Sequence, residues 1–221
     1  MSDVLLESRK PAAISFTFSN LIEFLTVLSP FLLTFFMIML SIVNNSIIKG
    51  LLYLMGLVIV SYITYLLKSI LKEKQDPLAS PICNILPFPF ITSGTVGNEE
   101  VVFSSPLLNS TILGYIMSYL IFPMHINNNV NSPLLIFLVA IFLTNGMVEY
   151  WKKCGSIGSI VLGGIVGITL GILYYGIIAA SGNKDLAYFS EIKSNAEGCK
   201  KPTDQKFKCV TYKRGDRPIG I

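Results

Sequence analysis

Ser93-Gly94-Thr95 sits in the polar stretch PICNILPFPFITSGTVGNEE, residues 81–100, between two strongly apolar segments. A Ser-Gly followed by histidine in such a place would point to phosphate chemistry at a membrane surface. Displacing phosphate through a covalent intermediate takes a neutral imidazole as nucleophile and a second group that delivers a proton near neutral pH. Thr95 does neither, and the chain has a single histidine, His125. One imidazole cannot fill both roles, so the histidine count excludes that reaction.

Asn145 and Glu149 lie one helical turn apart in a second candidate pair. An ionisable group inside a membrane is a functional hypothesis by default. Glu149, however, adjoins Tyr150, Trp151 and Lys152, the residue types of an interfacial belt. The sequence therefore predicts an interfacial contact or a surface ion pair with Lys153, and the same holds for Glu23. No ladder of ionisable residues runs from face to face, which weighs against a channel or pump.

The four cysteines divide into two kinds. Cys199 and Cys209 can close a short loop on an oxidising side, or remain two free thiols on a reducing side. Cys83 and Cys154 read as single packing cysteines. The Cys199–Cys209 spacing fits no common zinc signature, and no metal or cofactor is expected. Asn44-Asn45-Ser46 and Asn109-Ser110-Thr111 match the glycosylation pattern but abut or enter the membrane. Arg214-Gly215-Asp216 reads as a simple turn. Phosphate-binding glycine loops, metalloprotease helices and nucleophile elbows are absent from the sequence.

These residues must be positioned by apolar elements. Charged residues make up 14% of the 221 positions and hydrophobic ones 52%, against about 25% charged in ordinary soluble domains. Mean hydropathy is +0.63. The apolar residues fall in continuous blocks long enough to cross a bilayer core of roughly 30 Å. Continuous runs rule out the alternation of a membrane β-barrel. The predicted fold is an all-α integral membrane protein with five transmembrane helices in one bundle: 21–43, 47–67, 107–124, 133–150 and 157–180. A segment 1–20 precedes it, a loop 68–106 joins the second and third spans, and a polar tail 181–221 follows. No cleavable signal peptide is expected, the first span serving as insertion signal.

Within the fifth span, Ser159, Gly163, Gly167 and Gly171 recur every four residues. Such a stripe lets another helix approach closely, and packing within the bundle is favoured over a homodimer face. In the loop, Pro81, Pro87, Phe88, Pro89 and Phe90 form a stiff apolar segment suited to docking. The tail carries Lys200, Lys201, Lys206, Lys208, Lys213, Arg214 and Arg217 among its basic residues. It suits anionic lipid, acidic proteins or nucleic acid. Alternation in KFKCVTYKRGDRPIGI predicts a small β-hairpin there. Arg9, Lys10, Lys68, Lys72, Lys74, Lys152 and Lys153 share one side of the five-span layout, opposite Lys49 and His125. The positive-inside rule then puts the N-terminus and the long loop in the cytoplasm, while the tail's charge argues the other way.

The layout of a basic helix end, a Pro-Phe-Pro-Phe loop with Ser-Gly, two spans and a Gly-rich last span resembles the type 2 phosphatidic acid phosphatases over about residues 68–180. The resemblance implies a phosphate-holding Lys and Arg-Pro, a Pro-Ser-Gly-His acid, and a His nucleophile oriented by Asp. In this chain Asp76-Pro77 follows Lys68 where the Arg-Pro belongs. Thr95 replaces the acid His, and Glu149, Gly155 and Ser159 fall at the Arg, His and Asp. The frame is similar and the chemistry is missing.

The Asn/Ile/Lys bias, the CNILPFPF loop and the ending FKCVTYKRGDRPIG also make the chain look like the small multi-pass membrane proteins of large icosahedral DNA viruses. That likeness implies a virion component in the membrane beneath the capsid, derived from host endomembrane, tying the bilayer to minor capsid or core proteins. The leading expectation is a non-catalytic structural or assembly protein. The alternatives are a lipid-phosphate enzyme or lipid-binding derivative, and a small channel or transporter.

Overall fold

A computed structural model describes residues 18–84, 93–96, 99–127, 130–181 and 186. The apolar blocks are five helices: α1 (Phe18–Val43), α2 (Ile47–Leu71), α3 (Leu108–Ile126), α4 (Ser132–Trp151) and α5 (Ile157–Ala180). Between α2 and α3 lie a 3-10 turn, Pro81–Asn84, and an antiparallel hairpin of β1 (Ser93–Val96) and β2 (Glu99–Val102). The described hairpin is therefore in the long loop. The hairpin predicted for the tail lies outside the described residues, as do Cys199, Cys209, the basic tail residues from Lys200 to Arg217, and Pro87 to Phe90.

Helices α1, α2, α4 and α5 are long and apolar enough to cross a membrane. Well under half of each is buried, so most of each apolar surface points outward. Phe36, Val58, Ile165 and Ile177 are among the exposed side chains. In water such a surface would drive association, whereas in hydrocarbon it is solvated. The four helices are consistent with an integral membrane protein.

Helix α3 is different because its neighbours are protein. It packs on all four other helices and buries Ser110, Thr111 and Ser118 with Tyr115 and Tyr119. A helix walled in by others needs partners more than it needs apolar side chains. Tyr115 donates to the Tyr53 carbonyl of α2 at 3.3 Å, and Tyr174 of α5 donates to the Leu52 carbonyl at 2.7 Å. The rings of Tyr53, Tyr115 and Tyr119 lie with centroids 5.6–5.9 Å apart, which fills the centre of the bundle.

The small-residue stripe of α5 faces α3. A Cβ on Gly163 would stand 2.7 Å from the Leu107 carbonyl, one on Gly167 would overlap the Thr111 carbonyl, and one on Gly171 would meet Ser118 and Tyr115. Successive positions on α5 thus meet successive positions on α3, so the two helices run parallel at backbone contact. Helix α4 connects them in the chain and runs antiparallel to α1, with Glu23 near the start of α1 paired to Lys152 at 2.7 Å. Pro30 lies inside α1 without ending it. Asn45, at φ 51°, turns α1 into α2.

Candidate functional site

One end of the bundle gathers most of the polar side chains. It receives the start of α1, the end of α2, the loop, the start of α3, and the α4–α5 turn. Lys72 ends α2 at φ 49°, its N–H reaching the Lys68 carbonyl at 3.0 Å. The chain then runs extended beside the segment following β2. Gln75 N–H donates to the Val102 carbonyl and Ser104 N–H to the Glu73 carbonyl, both at 2.9 Å. Asp76 accepts the Leu78 N–H at 2.8 Å, making the turn expected of Asp-Pro. Ser80 N–H donates to the Lys152 carbonyl at 3.1 Å.

Cys83 and Cys154 form a disulfide across 71 positions, with Cα atoms 5.3 Å apart. This corrects the reading of both as packing cysteines. The loop brings Cys83 over the α4–α5 turn, where Lys153 at φ 57° presents Cys154. The bond, the Ser80 contact and the Gln75 side chain, which donates to the Cys154 carbonyl at 3.4 Å, fasten the loop to the turn. The result is a cap rather than a free connection.

Two carboxylates meet this end, one exposed in the cap itself and one buried. Glu73 accepts hydrogen bonds from Ser156 at 3.0 Å and Ser159 at 3.3 Å. Ser156 also caps α5 by accepting the Ser159 N–H at 3.2 Å, and the negative charge sits at the helix end that favours it. Ser159 thus serves the cap, while Gly163, Gly167 and Gly171 serve α3.

Glu149 is the second carboxylate. It is 1% exposed and accepts from the Ser110 hydroxyl at 2.8 Å. Asn109 and the Lys68 ammonium of α2 also act on it, while the Asn145 amide and Glu149 Oε1 make no hydrogen bond. The expected surface contact with Lys153 is therefore overturned. Asn145 and Glu149 share the inward face of α4, while Lys152, at the helix end, turns to Glu23. The spacing of four between Asn145 and Glu149 was the available signal, and the Tyr150-Trp151-Lys152 sequence masked it.

Lys68, Glu149 and Ser159 all lie at this end: Glu149 receives the Ser110 hydroxyl and faces the Lys68 ammonium, and Ser159 donates to Glu73. His125 ends α3 at the opposite end of the bundle, and Thr95 lies in β1, paired with Glu100. Ser110, Glu149 and Ser159 are each 1% exposed and offer a substrate no surface. Among the described residues no group of three or more His, Cys, Asp or Glu side chains is placed to hold a metal ion. No protein-family model, curated protein or solved structure matches the chain.

Proposed function

We propose that this chain is a non-catalytic, multi-pass membrane protein that presents its cap as a docking platform to another protein, a structural or assembly role. The observation that carries the reading is the fastening of the cap: one covalent bond to the α4–α5 turn, plus hydrogen bonds to that turn and to α5. A surface held in one conformation loses little freedom on association. Leu78, 73% exposed on this cap, offers an apolar contact. The setting in a virion membrane, with minor capsid or core proteins as partners, draws its support from the resemblance of composition and chain ends. The basic tail, on the same reading, meets anionic lipid or nucleic acid.

Five crossings follow if α3 spans with α5. The helices run parallel in backbone contact, and 19 residues extend about 28 Å. The cap and the start of α1 then share one side and the tail takes the other. Disulfides persist where conditions are oxidising, including virion and cell surfaces. The bond therefore favours the cap on that side, against the lysine count.

Purified protein incubated with phosphatidic acid vesicles tests the non-catalytic part. No phosphate release is expected, and turnover by the natural sequence would end the structural reading.

A further inference from the structure

A crevice of about 640 Å³ runs between α1 and α4, floored by Ile116 and Leu120 of α3. Leu25, Leu33 and Phe36 form one wall, and Leu134, Leu138 and Ile141 the other. No charged side chain lines it. Lys152, the cation that links the same two helices, is paired to Glu23.

Three hydroxyls interrupt the apolar walls: Thr26, Ser29 and Thr144. Thr26 donates to the Ile22 carbonyl at 2.7 Å and Thr144 to the Ala140 carbonyl at 2.9 Å, so both are satisfied within their own helices. Ser29 is 8% exposed and its hydroxyl has no partner. The next residue is Pro30. Lacking an N–H, it deprives the Thr26 carbonyl of its helical donor. One level of the α1 wall therefore carries a buried hydroxyl without a partner, beside a carbonyl that its own helix leaves without the usual donor. Buried polar groups in this condition call for a ligand or ordered water.

The matching ligand is an uncharged apolar body with one hydroxyl, which donates to the carbonyl and accepts from Ser29. We propose that this crevice binds a sterol-class lipid from the bilayer. A phospholipid chain would fill the walls and leave Ser29 unanswered, and its charged head finds no counterpart in the lining. The inference rests on α1 and α4 lying in the membrane and is independent of what docks on the cap.

The test uses the full chain in phosphatidylcholine nanodiscs with a photoreactive cholesterol probe, adducts being mapped by mass spectrometry. Labelling is expected to saturate, to map to residues 22–37 of α1 or 134–144 of α4, and to be competed by cholesterol. Ser29→Ala should weaken competition about fivefold, the value of one lost hydrogen bond. Leu138→Trp, which fills the crevice, should abolish the site. A monodisperse size-exclusion peak and a thermal midpoint close to that of the natural sequence show that each variant is folded, and Ser29→Ala carries the test if the bulkier change fails. Three results would each overturn the proposal: labelling spread over Val58 and Leu173, equal competition by diacylglycerol, or a Ser29→Ala variant that matches the natural sequence.

Discussion

Cys83 and Cys154 are covalently joined although 71 positions separate them, and the bond ties the loop after α2 to the turn between α4 and α5. Closing so long a loop restricts the disordered chain by on the order of 4 kcal/mol in the entropic account. The gain is smaller in a bilayer, where the helices remain inserted when tertiary contacts are lost. Cys83→Ser is expected to lower the thermal midpoint in detergent. It should also free the cap to proteolysis while leaving helical circular dichroism unchanged. A variant as protease-resistant as the natural chain would show that the bond does not hold the cap.

The same bond reports sidedness. In sealed membranes with the cap outside, an impermeant reductant should expose Cys83 and Cys154 to an impermeant maleimide. Without reductant neither should label. Labelling that requires permeabilised membranes would put the cap on the other side and restore the orientation given by the lysines.

Gly167 and Thr111 bring α5 and α3 to backbone contact, and a side chain at position 167 would overlap the Thr111 carbonyl. Gly167→Leu should destabilise by at least the upper part of the roughly 1–3 kcal/mol seen for overpacking. Gly176→Ala, where a Cβ meets nothing within 4 Å, should be neutral. Equal midpoints for the two variants would argue that the helices do not meet there.

Glu149 holds the Ser110 hydroxyl, and Glu149→Gln keeps an acceptor for it, so a small loss of stability is expected. Glu149→Leu leaves Ser110 without that acceptor and should cost about 1–3 kcal/mol. A Lys68→Met, Glu149→Gln double-mutant cycle should return a favourable coupling of about 0.5 kcal/mol or more. In liposomes neither variant should change ion flux, because the carboxylate is a structural partner. A flux that depends on Glu149 would favour the transport reading.

Much of this fold is legible in the sequence, because lipid imposes continuous apolar runs wherever a helix faces it. The stripe from Ser159 to Gly171 is visible for a related reason: close helix approach excludes all but small side chains. Glu149 looks interfacial because its chain neighbours at 150–152 do, while the direction it faces depends on how α4 is rotated against α3. The cysteine pairing was hidden by distance. Four cysteines allow three connectivities, and Cys199–Cys209 is attractive in sequence only because its loop is short. Cys83 meets Cys154 through the path of a loop whose hairpin, β1 with β2, carries no strong strand pattern. Glu73 carries no distinguishing signal, since a carboxylate following a lysine cluster reads as solvated surface. Its partners Ser156 and Ser159 lie more than eighty positions away.

The cap as a docking platform is tested most directly by a photo-crosslinking amino acid at Leu78, in native membranes, beside the same probe at lipid-facing Leu173. A discrete protein adduct is expected from position 78, greatly reduced when Cys83 and Cys154 are both serine, with lipid adducts alone from position 173. Lipid or water adducts alone at position 78, or a protein adduct indifferent to loss of the disulfide, would contradict it.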